Sequence, residues 1–475
     1  MVGVIGPEIV VFSVATTVLT LDFLLGQRRK VWLAYLSLLG LLGALAVTLL
    51  APVEGSIFSG TFSSDALTLF FRLALVGLAL AIVLASVGPL ASERSQGEYY
   101  TLLLFSLCGA MILAGATELV TLYLGLELMA LPAYALVAFR KTNEKANDAA
   151  LKYFVLGLLS SAVIVYGMSL LYGLTGQTNL GEIARAVQTG APPLVLASVL
   201  LLAGFAFKVA AVPFHFWAPD AYEGAPAPIA AYLAAISKLA AFAALLRIFL
   251  TALPGTADSW QAWFGVLAAV TMVAGTLMAL PQSNLKRLLA YSSITHVGYA
   301  LIGFAVGTAL AFATMLFYLV VYAVGSIGAF FVISAASKGI NEEAEDIVHH
   351  AGLWSRSPAL AFSMTVFLLS LVGIPPLAGF IGKVYLFGAA IEAGGTVPVG
   401  LAVIAVLATV VSLGYYMKII REMYMVEPQA PPIPKPSLGL RAAIYLTLIA
   451  VVALGIFNFP LLELATKAVG IFGAS

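Results

Sequence analysis

Apolar stretches of about 20 residues recur from one end of the chain to the other, each long enough to cross a bilayer as a helix. The pattern predicts an all-α polytopic membrane protein with fourteen spans, near 4–25, 31–51, 66–88, 98–117, 118–138, 150–174, 193–216, 229–252, 259–281, 288–306, 308–337, 358–392, 396–424 and 441–460. The twelfth is expected to be interrupted. The first opens on Gly6, Pro7 and Glu8 instead of a basic segment, so it is expected to stay as a helix and not to be removed as a signal.

Two spans depart from the apolar pattern in the same way. The seventh reads GFAFKVAAVPFHFW over 204–217 and the twelfth LVGIPPLAGFIGK over 371–383, each joining a proline break to a lysine. Pro213 cannot donate to the carbonyl of Val209, and Pro375 and Pro376 free those of Leu371 and Val372, so polar backbone comes to lie beside a titratable side chain. If spans four to eight and nine to thirteen are two five-helix units, each break falls in the fourth helix of its unit, and the odd number inverts the second copy. The expected organisation is three N-terminal spans in 1–97, a first repeat in 98–252, an inverted second repeat in 253–424, and a last span with its tail in 425–475. Inverted repeats with discontinuous helices at corresponding positions point to a transport site near the midplane. A plain kink is the other reading of any single proline.

Composition narrows the function classes. Hydrophobic residues make up 62% of the chain and charged residues 9%, with a mean hydropathy of +1.06, which leaves little soluble mass. No nucleotide-binding glycine fingerprint, nucleophile elbow or zinc spacing occurs, and the single Cys108 excludes an internal disulfide and a Cys-based metal site. No cofactor is therefore expected in this chain, and no nucleic-acid partner; its surroundings are the lipid bilayer.

The placement of basic residues gives an orientation. Counted from an outer N-terminus, the inner loops hold Arg28, Arg29, Lys30, Arg94, Arg140, Lys141, Lys145, Lys286, Arg287, Lys338, Arg356, Arg421, Lys435 and Arg441, whereas the outer loops and tail hold Arg185 and Lys467. The positive-inside rule then puts both termini on the outer face.

An ionisable group at bilayer depth costs roughly 2.5–3.5 kcal/mol on insertion scales, and such groups mark ion or proton pathways. Glu127 sits near the middle of the fifth span in LYLGLELMALPAYAL, with no charged neighbour on its own helix, and Lys208 is its expected partner. Either the pair switches, or it is a static buried pair that orients helices. Lys238, in AAYLAAISKLAAF, lies ~14 Å along its span, too deep to snorkel, and Lys383 follows the second break. Removal from water disfavours the charged form of a buried amine, so such a lysine can pass a proton on. Lys152, in ALKYFVLG, begins the sixth span close to basic residues, and reads equally as a loop-end anchor or as the inner mouth of a proton path. Arg72 and Arg247 have no partner evident in the sequence and read as structural or helix-end residues.

His296, in YSSITHVGY, stands among Ser292, Ser293, Thr295 and Tyr299 and can take and give a proton through its two ring nitrogens; a satisfied core histidine is the alternative. His215 reads as a capping or packing group near a helix end. His349 and His350 close the acidic loop NEEAEDIVHH, which is expected to be solvated.

The strings LYLGLELMALPAYALVAF, ALKYFVLG, FAFKVAAVPFHFWAPDAYEGAP, KRLLAYSSITHVGY and GIPPLAGFIGKVYLF resemble the antiporter-like subunit N of bacterial respiratory complex I, the proton-translocating NADH:quinone oxidoreductase. The resemblance runs over about residues 98–424. It implies a fourteen-helix fold with two inverted repeats and one proton channel in the cytoplasmic membrane, driven by quinone reduction elsewhere in the complex. The partners it implies are the other membrane subunits, including further antiporter-like ones, with flavin, iron–sulfur clusters and quinone held by partner subunits. Under this resemblance Glu127 corresponds to the fifth-helix glutamate, Lys208 to the seventh-helix lysine, Lys238 to the connecting lysine, His296 to the tenth-helix histidine and Lys383 to the twelfth-helix lysine. Lys152 matches a sixth-helix lysine common in this subunit. The lysine at 383 separates the chain from the M-type sister, and its short C-terminus from the L-type sister. Two rival readings remain, a sodium/proton antiporter subunit and a structural membrane scaffold with inactive buried charges. Sodium would call for extra carboxylates or hydroxyls around the ion, whereas the buried set is lysine-rich.

Overall fold

A computed structural model describes residues 3–26, 29–89, 95–187, 192–337, 345–428 and 433–473. Arg28, Arg94, Lys338 and the start of the acidic loop, 341–344, lie outside the described residues. The chain runs α1 (Gly6–Leu24), α2 (Val31–Leu50), a hairpin of β1 (Gly55–Ile57) and β2 (Phe62–Ser64), α3 (Ala66–Ser86), α4 (Gln96–Gly115), α5 (Leu119–Val137), α6 (Glu144–Thr175) and α7 (Leu180–Ala186). It continues as α8 (Pro192–Val209), α9 (Trp217–Gly224), α10 (Ala227–Leu246), α11 (Ala257–Ala279), α12 (Leu285–Val306), α13 (Ala309–Ala336) and α14 (Leu353–Arg356). Then follow α15 (Pro358–Val372), α16 (Ala378–Ala393), α17 (Thr396–Met425), α18 (Leu438–Ile456) and α19 (Phe459–Gly470).

Thirteen helices of the described residues are long and apolar enough to cross a membrane. The predicted twelfth span is the pair α15 and α16, divided at 373–377. The seventh is broken at the expected proline, with α8 ending at Val209, the chain unwinding over 210–216 and α9 resuming it, so that only the predicted end at 216 differs. The β-hairpin, α7 and α19 were not evident in the hydropathy pattern, because short elements give no bilayer-length signal.

Helix starts are fixed by side chains that satisfy free backbone N–H groups. Asp65 accepts from Thr68 N at 2.9 Å, Glu118 from Thr121 N at 2.8 Å and Asn284 from Arg287 N at 3.0 Å. The helices α10 and α13 are buried almost throughout and form the centre of the bundle. Where α4 crosses α5, a Cβ on Gly109 would lie 2.3 Å from Met129 N and one on Gly125 2.8 Å from Leu113 N. Only glycine admits so close a backbone approach, and it occurs two residues from Glu127.

The two arginines, whose partners were not evident in the sequence, are paired. Arg72 Nε donates to Glu8 Oε1 at 2.7 Å, and Arg247 Nη1 to Asp65 Oδ2 at 2.6 Å. Arg247 also donates to the carbonyl of Ala114 at 3.1 Å, tying the end of α10 to α3 and α4. Both pairs join residues far apart in sequence, and so are invisible to a local reading. Burial raises the Asp65 carboxyl, but the Arg247 charge and hydrogen bonds outweigh it and hold the group below the usual carboxylate range. A carboxyl depressed on folding stabilises above its unfolded pKa and loses that contribution as pH falls through its folded one. Asp65→Asn should therefore lower the thermal stability of the detergent-solubilised protein by ~3–5 kcal/mol near neutral pH, because Arg247 is left as an unpaired buried cation. The gap from wild type should narrow on acidification below about pH 4. Equal melting temperatures at neutral pH would show that the pair is energetically idle.

Candidate proton pathway

Lys208, Lys238 and Lys383 are all buried, and each is held by uncharged groups. Lys208, on the last turn of α8, is 5% exposed and donates to Ser161 Oγ at 3.2 Å and to the Tyr134 hydroxyl at 3.4 Å. Ser161 in turn donates to Glu127 Oε1. The expected Glu127–Lys208 contact is thus relayed through a serine on α6, and Glu127 itself is only partly buried. Ser161 was missed, since a serine in an apolar helix commonly bonds its own preceding turn.

The break after Lys208 exposes little unsatisfied backbone. Trp217 Nε1 donates to the carbonyl of Phe207 at 2.8 Å, and Thr271 Oγ1 accepts from Val212 N at 3.0 Å. Burial of freed groups in protein is the condition for irregular backbone inside a membrane. His215 is buried with Nδ1 unpartnered among the described residues; its ring packs 4.6 Å from that of Phe216. A groove of about 360 Å³ borders this break, but its lining of Leu159, Gly204, Phe207, Pro213 and Phe216 is almost wholly apolar, so it offers no proton route.

Lys238, at the centre of α10, is 1% exposed and donates to Ser293 Oγ. Ser293 also accepts from the Tyr322 hydroxyl at 2.7 Å and lies 3.4 Å from that of Tyr222. Three residues further along α12, His296 Nδ1 pairs with the Tyr318 hydroxyl at 2.5 Å, and Nε2 lies 3.5 Å from the Tyr416 hydroxyl. The hydroxyls predicted to surround His296 point elsewhere: Ser292 pairs with Tyr416, Ser293 with Lys238, and Thr295 with Thr276 at 3.2 Å. On a helix, neighbours in sequence face different directions, so partners come from α13 and α17 instead. Tyr318 and Tyr322 were missed, although their spacing of four on an apolar helix is a legible signal.

Lys383, on α16, is 5% exposed and donates to the carbonyl of Val372 at 2.8 Å, one of the two carbonyls that the prolines were expected to free. It also donates to Thr409 Oγ1 at 3.2 Å and lies 4.9 Å above the Tyr299 ring. Thr409 donates to the Tyr299 hydroxyl at 3.2 Å. Between His296 and Lys383 runs a crevice lined by Tyr318, Tyr322, Ser370 and Gly379, closed tightly enough to leave no room for a water molecule.

Lys152 stands apart from these groups. Its side chain is 49% exposed and pairs with Asp148 at 2.7 Å and with Asp220 at 3.2 Å. The acidic loop is not uniformly solvated either: Glu345 is 17% exposed and paired with Lys286, and His350 is buried, with its ring pushed down to about 4 by burial and the nearby Arg356 and His349. A buried histidine and a half-buried, paired carboxylate make this part of the loop belong to the packed fold.

Comparison with known proteins fits this geometry. The profile of a transmembrane family described as NADH:quinone oxidoreductase/Mrp antiporter matches residues 116–412, a stretch that holds every predicted pathway residue. The chain belongs to the NADH:quinone oxidoreductase/Mrp antiporter family. Among proteins of this kind, NAD(P)H-quinone oxidoreductase subunit 2 of Thermosynechococcus vestitus is 41% identical over 483 residues, covering 98% of this chain and 93% of that protein. NADH-quinone oxidoreductase subunit N 2 of Solibacter usitatus is 45% identical over 419 residues, covering 87% and 84%. F(420)H(2) dehydrogenase subunit N of Methanosarcina mazei is 40% identical over 486 residues, covering 98% and 97%. A chain of respiratory complex I from Thermus thermophilus with bound aureothin superposes with a TM-score of 0.83 at 34% identity, covering 97% of this chain and 99% of that one. The resemblance to antiporter-like subunit N is thereby supported over nearly the whole of this family member.

Proposed function

We propose that this chain is a proton-translocating membrane subunit of a respiratory NADH:quinone oxidoreductase complex, moving protons through Glu127, Lys208, Lys238, His296 and Lys383 while redox chemistry proceeds in partner subunits. The observation that carries this reading is the contrast between the buried cations. Arg72 and Arg247 have carboxylate partners at 2.7 and 2.6 Å, whereas Lys208, Lys238 and Lys383 rest on hydroxyls and a carbonyl. A static cation is stabilised by a fixed counter-ion; an amine held by neutral groups can exist with or without its proton. This favours transfer over the scaffold reading, and the shortage of buried carboxylates beside the lysines disfavours sodium exchange.

Lys152 takes the loop-end position of this scheme, where it pairs with Asp148 and Asp220. The two broken helices and the glycine crossings support the two inverted units proposed for 98–252 and 253–424. A second crossing of that kind joins α11 to α12, where a Cβ on Gly298 would lie 2.7 Å from Met272 N, two residues from His296. The positive-inside count supports both termini lying on the outer face, and the likeness to bacterial complex I subunits supports the bacterial cytoplasmic membrane as its location.

Relatives named for NADH, NAD(P)H and F(420)H(2) share about 40% identity with the chain, which supports donor chemistry lying outside it. Purification in mild detergent tests the assignment: flavin and iron–sulfur companion subunits are expected, and a set of cation-antiporter subunits in their place would overturn it. Purified alone into liposomes, the chain should neither oxidise NADH nor reduce quinone, because its loops are too short to house a cofactor domain. A bound flavin, an iron–sulfur signal or NADH-dependent quinone reduction by the chain alone would make it an enzyme in its own right.

A further inference from the structure

On the face that carries the α5–α6 turn, a polar cavity of about 40 Å³ lies among Arg140, Glu223, Asn284, Lys286 and Glu345. That exceeds the ~10–15 Å³ needed for one water. Lys286, on the first turn of α12, is 2% exposed, yet donates to Glu345 Oε1 at 2.5 Å and to the carbonyl of Ala225 at 2.7 Å. Glu345 is the partner that reaches solvent, with 17% of its side chain exposed.

Its position is built by backbone, not left to a loose loop. Leu285 N donates to the carbonyl of Glu345 at 2.8 Å and Ile347 N to that of Ser283 at 2.8 Å, pinning 345–347 across the start of α12. Burial pushes the Glu345 carboxyl above the usual range, more than Lys286 and Arg140 pull it back. Beside it, Arg287 holds Asp220 at 2.6 Å and Glu223 at 3.0 Å, so the carboxylates of α9 are already engaged.

Glu223 of this cavity follows Tyr222 on α9; Tyr222 is fully buried, and its hydroxyl lies 3.4 Å from the Ser293 Oγ that accepts from Lys238. Lys286 and Ser293 lie about two turns apart along one face of α12, so the vestibule and the hydroxyl that holds the central lysine flank the same stretch of helix.

We propose that Glu345 is the entry acid of the pathway, and that Tyr222 carries the proton from the Glu345–Lys286 vestibule to Lys238. This rests on the proton-translocation reading above and names where its path begins. The carboxylate takes a proton from vestibule water and releases its hydrogen bond from Lys286. The proton then passes over Tyr222 and Ser293, each hydroxyl accepting one proton and giving one, to a neutral Lys238 amine, and Glu345 returns to its pair with Lys286. No oxidant or co-reactant is required.

The test uses the assembled complex in proteoliposomes, with proton uptake followed by a pH-sensitive dye across a range of pH. Glu345→Gln keeps the shape of the side chain but cannot cycle a proton, and should slow uptake at least severalfold, within the roughly hundredfold that a positioned proton donor contributes. The defect should deepen as pH rises, because fewer solvent protons are then available to bypass the carboxyl. Tyr222→Phe removes one hydroxyl from a packed ring and should show the same pH-dependent loss, which serves if Glu345→Gln fails to assemble. Wild-type uptake in either assembled variant, or a defect of equal size at every pH, would overturn the entry assignment and leave Glu345 as a purely structural ion-pair partner. If Lys208→Ala impairs pumping while these variants do not, only this inference fails; if Lys208→Ala also pumps normally, the translocation reading itself fails.

Discussion

Lys208→Ala should abolish most proton pumping by the assembled complex while the subunit still inserts and assembles. The ammonium is linked to Glu127 through Ser161 and is otherwise held by the Tyr134 hydroxyl, so its removal deletes both the proton carrier and the group that answers the charge of Glu127. Glu127→Gln should have a similar effect, since the amide can still accept from Ser161 but no longer supports a cation. When a carboxylate stabilises a nearby ammonium, any opening of the pair favours release of the proton onward toward Lys238. Lys208→Arg should fail to restore pumping fully, because a guanidinium keeps the charge and cannot shed its proton. The serine relay adds a further expectation: Ser161→Ala should weaken pumping less than Glu127→Gln, because charge still acts across the gap. Proton uptake and donor oxidation measured on the same proteoliposomes check all four variants. Wild-type pumping in the assembled Glu127→Gln variant would count against the pair as a switch.

Lys383→Met should block proton release with assembly intact. Methionine fills nearly the same space, but leaves the Val372 carbonyl without the donor that now satisfies it, a loss of about 1–3 kcal/mol that a bundle of this size can bear. The functional loss is larger, because the amine that donates to Thr409, itself bonded to the Tyr299 hydroxyl, is the proton carrier at this end of the path. His296→Ala should have a smaller effect. Its ring bridges Tyr318 and Tyr416, and truncation opens space for water in a crevice that is now closed. Pumping at the wild-type rate in assembled Lys383→Met would remove this lysine from the path.

Much of this architecture was legible in the order of residues. Bilayer-length apolar runs, both broken spans and the burial of Lys208, Lys238, His296 and Lys383 follow from local composition, since hydropathy and proline chemistry act within a few residues. Even the use of the Val372 carbonyl by Lys383 was contained in the proline pair that frees it.

What only the tertiary structure decided is who meets whom. Arg72 finds Glu8 from 64 positions away, Arg247 finds Asp65 from 182, and Lys286 finds Glu345 in a loop that reads as solvated. Ser161 between Glu127 and Lys208, and the tyrosines of α13 and α17 around His296, belong to the same class. Hydropathy places a helix in the bilayer but is blind to its rotation and neighbours. Those are set by packing of one helix against another, at glycine crossings such as Gly109 on Met129, and so emerge only when the whole bundle is assembled.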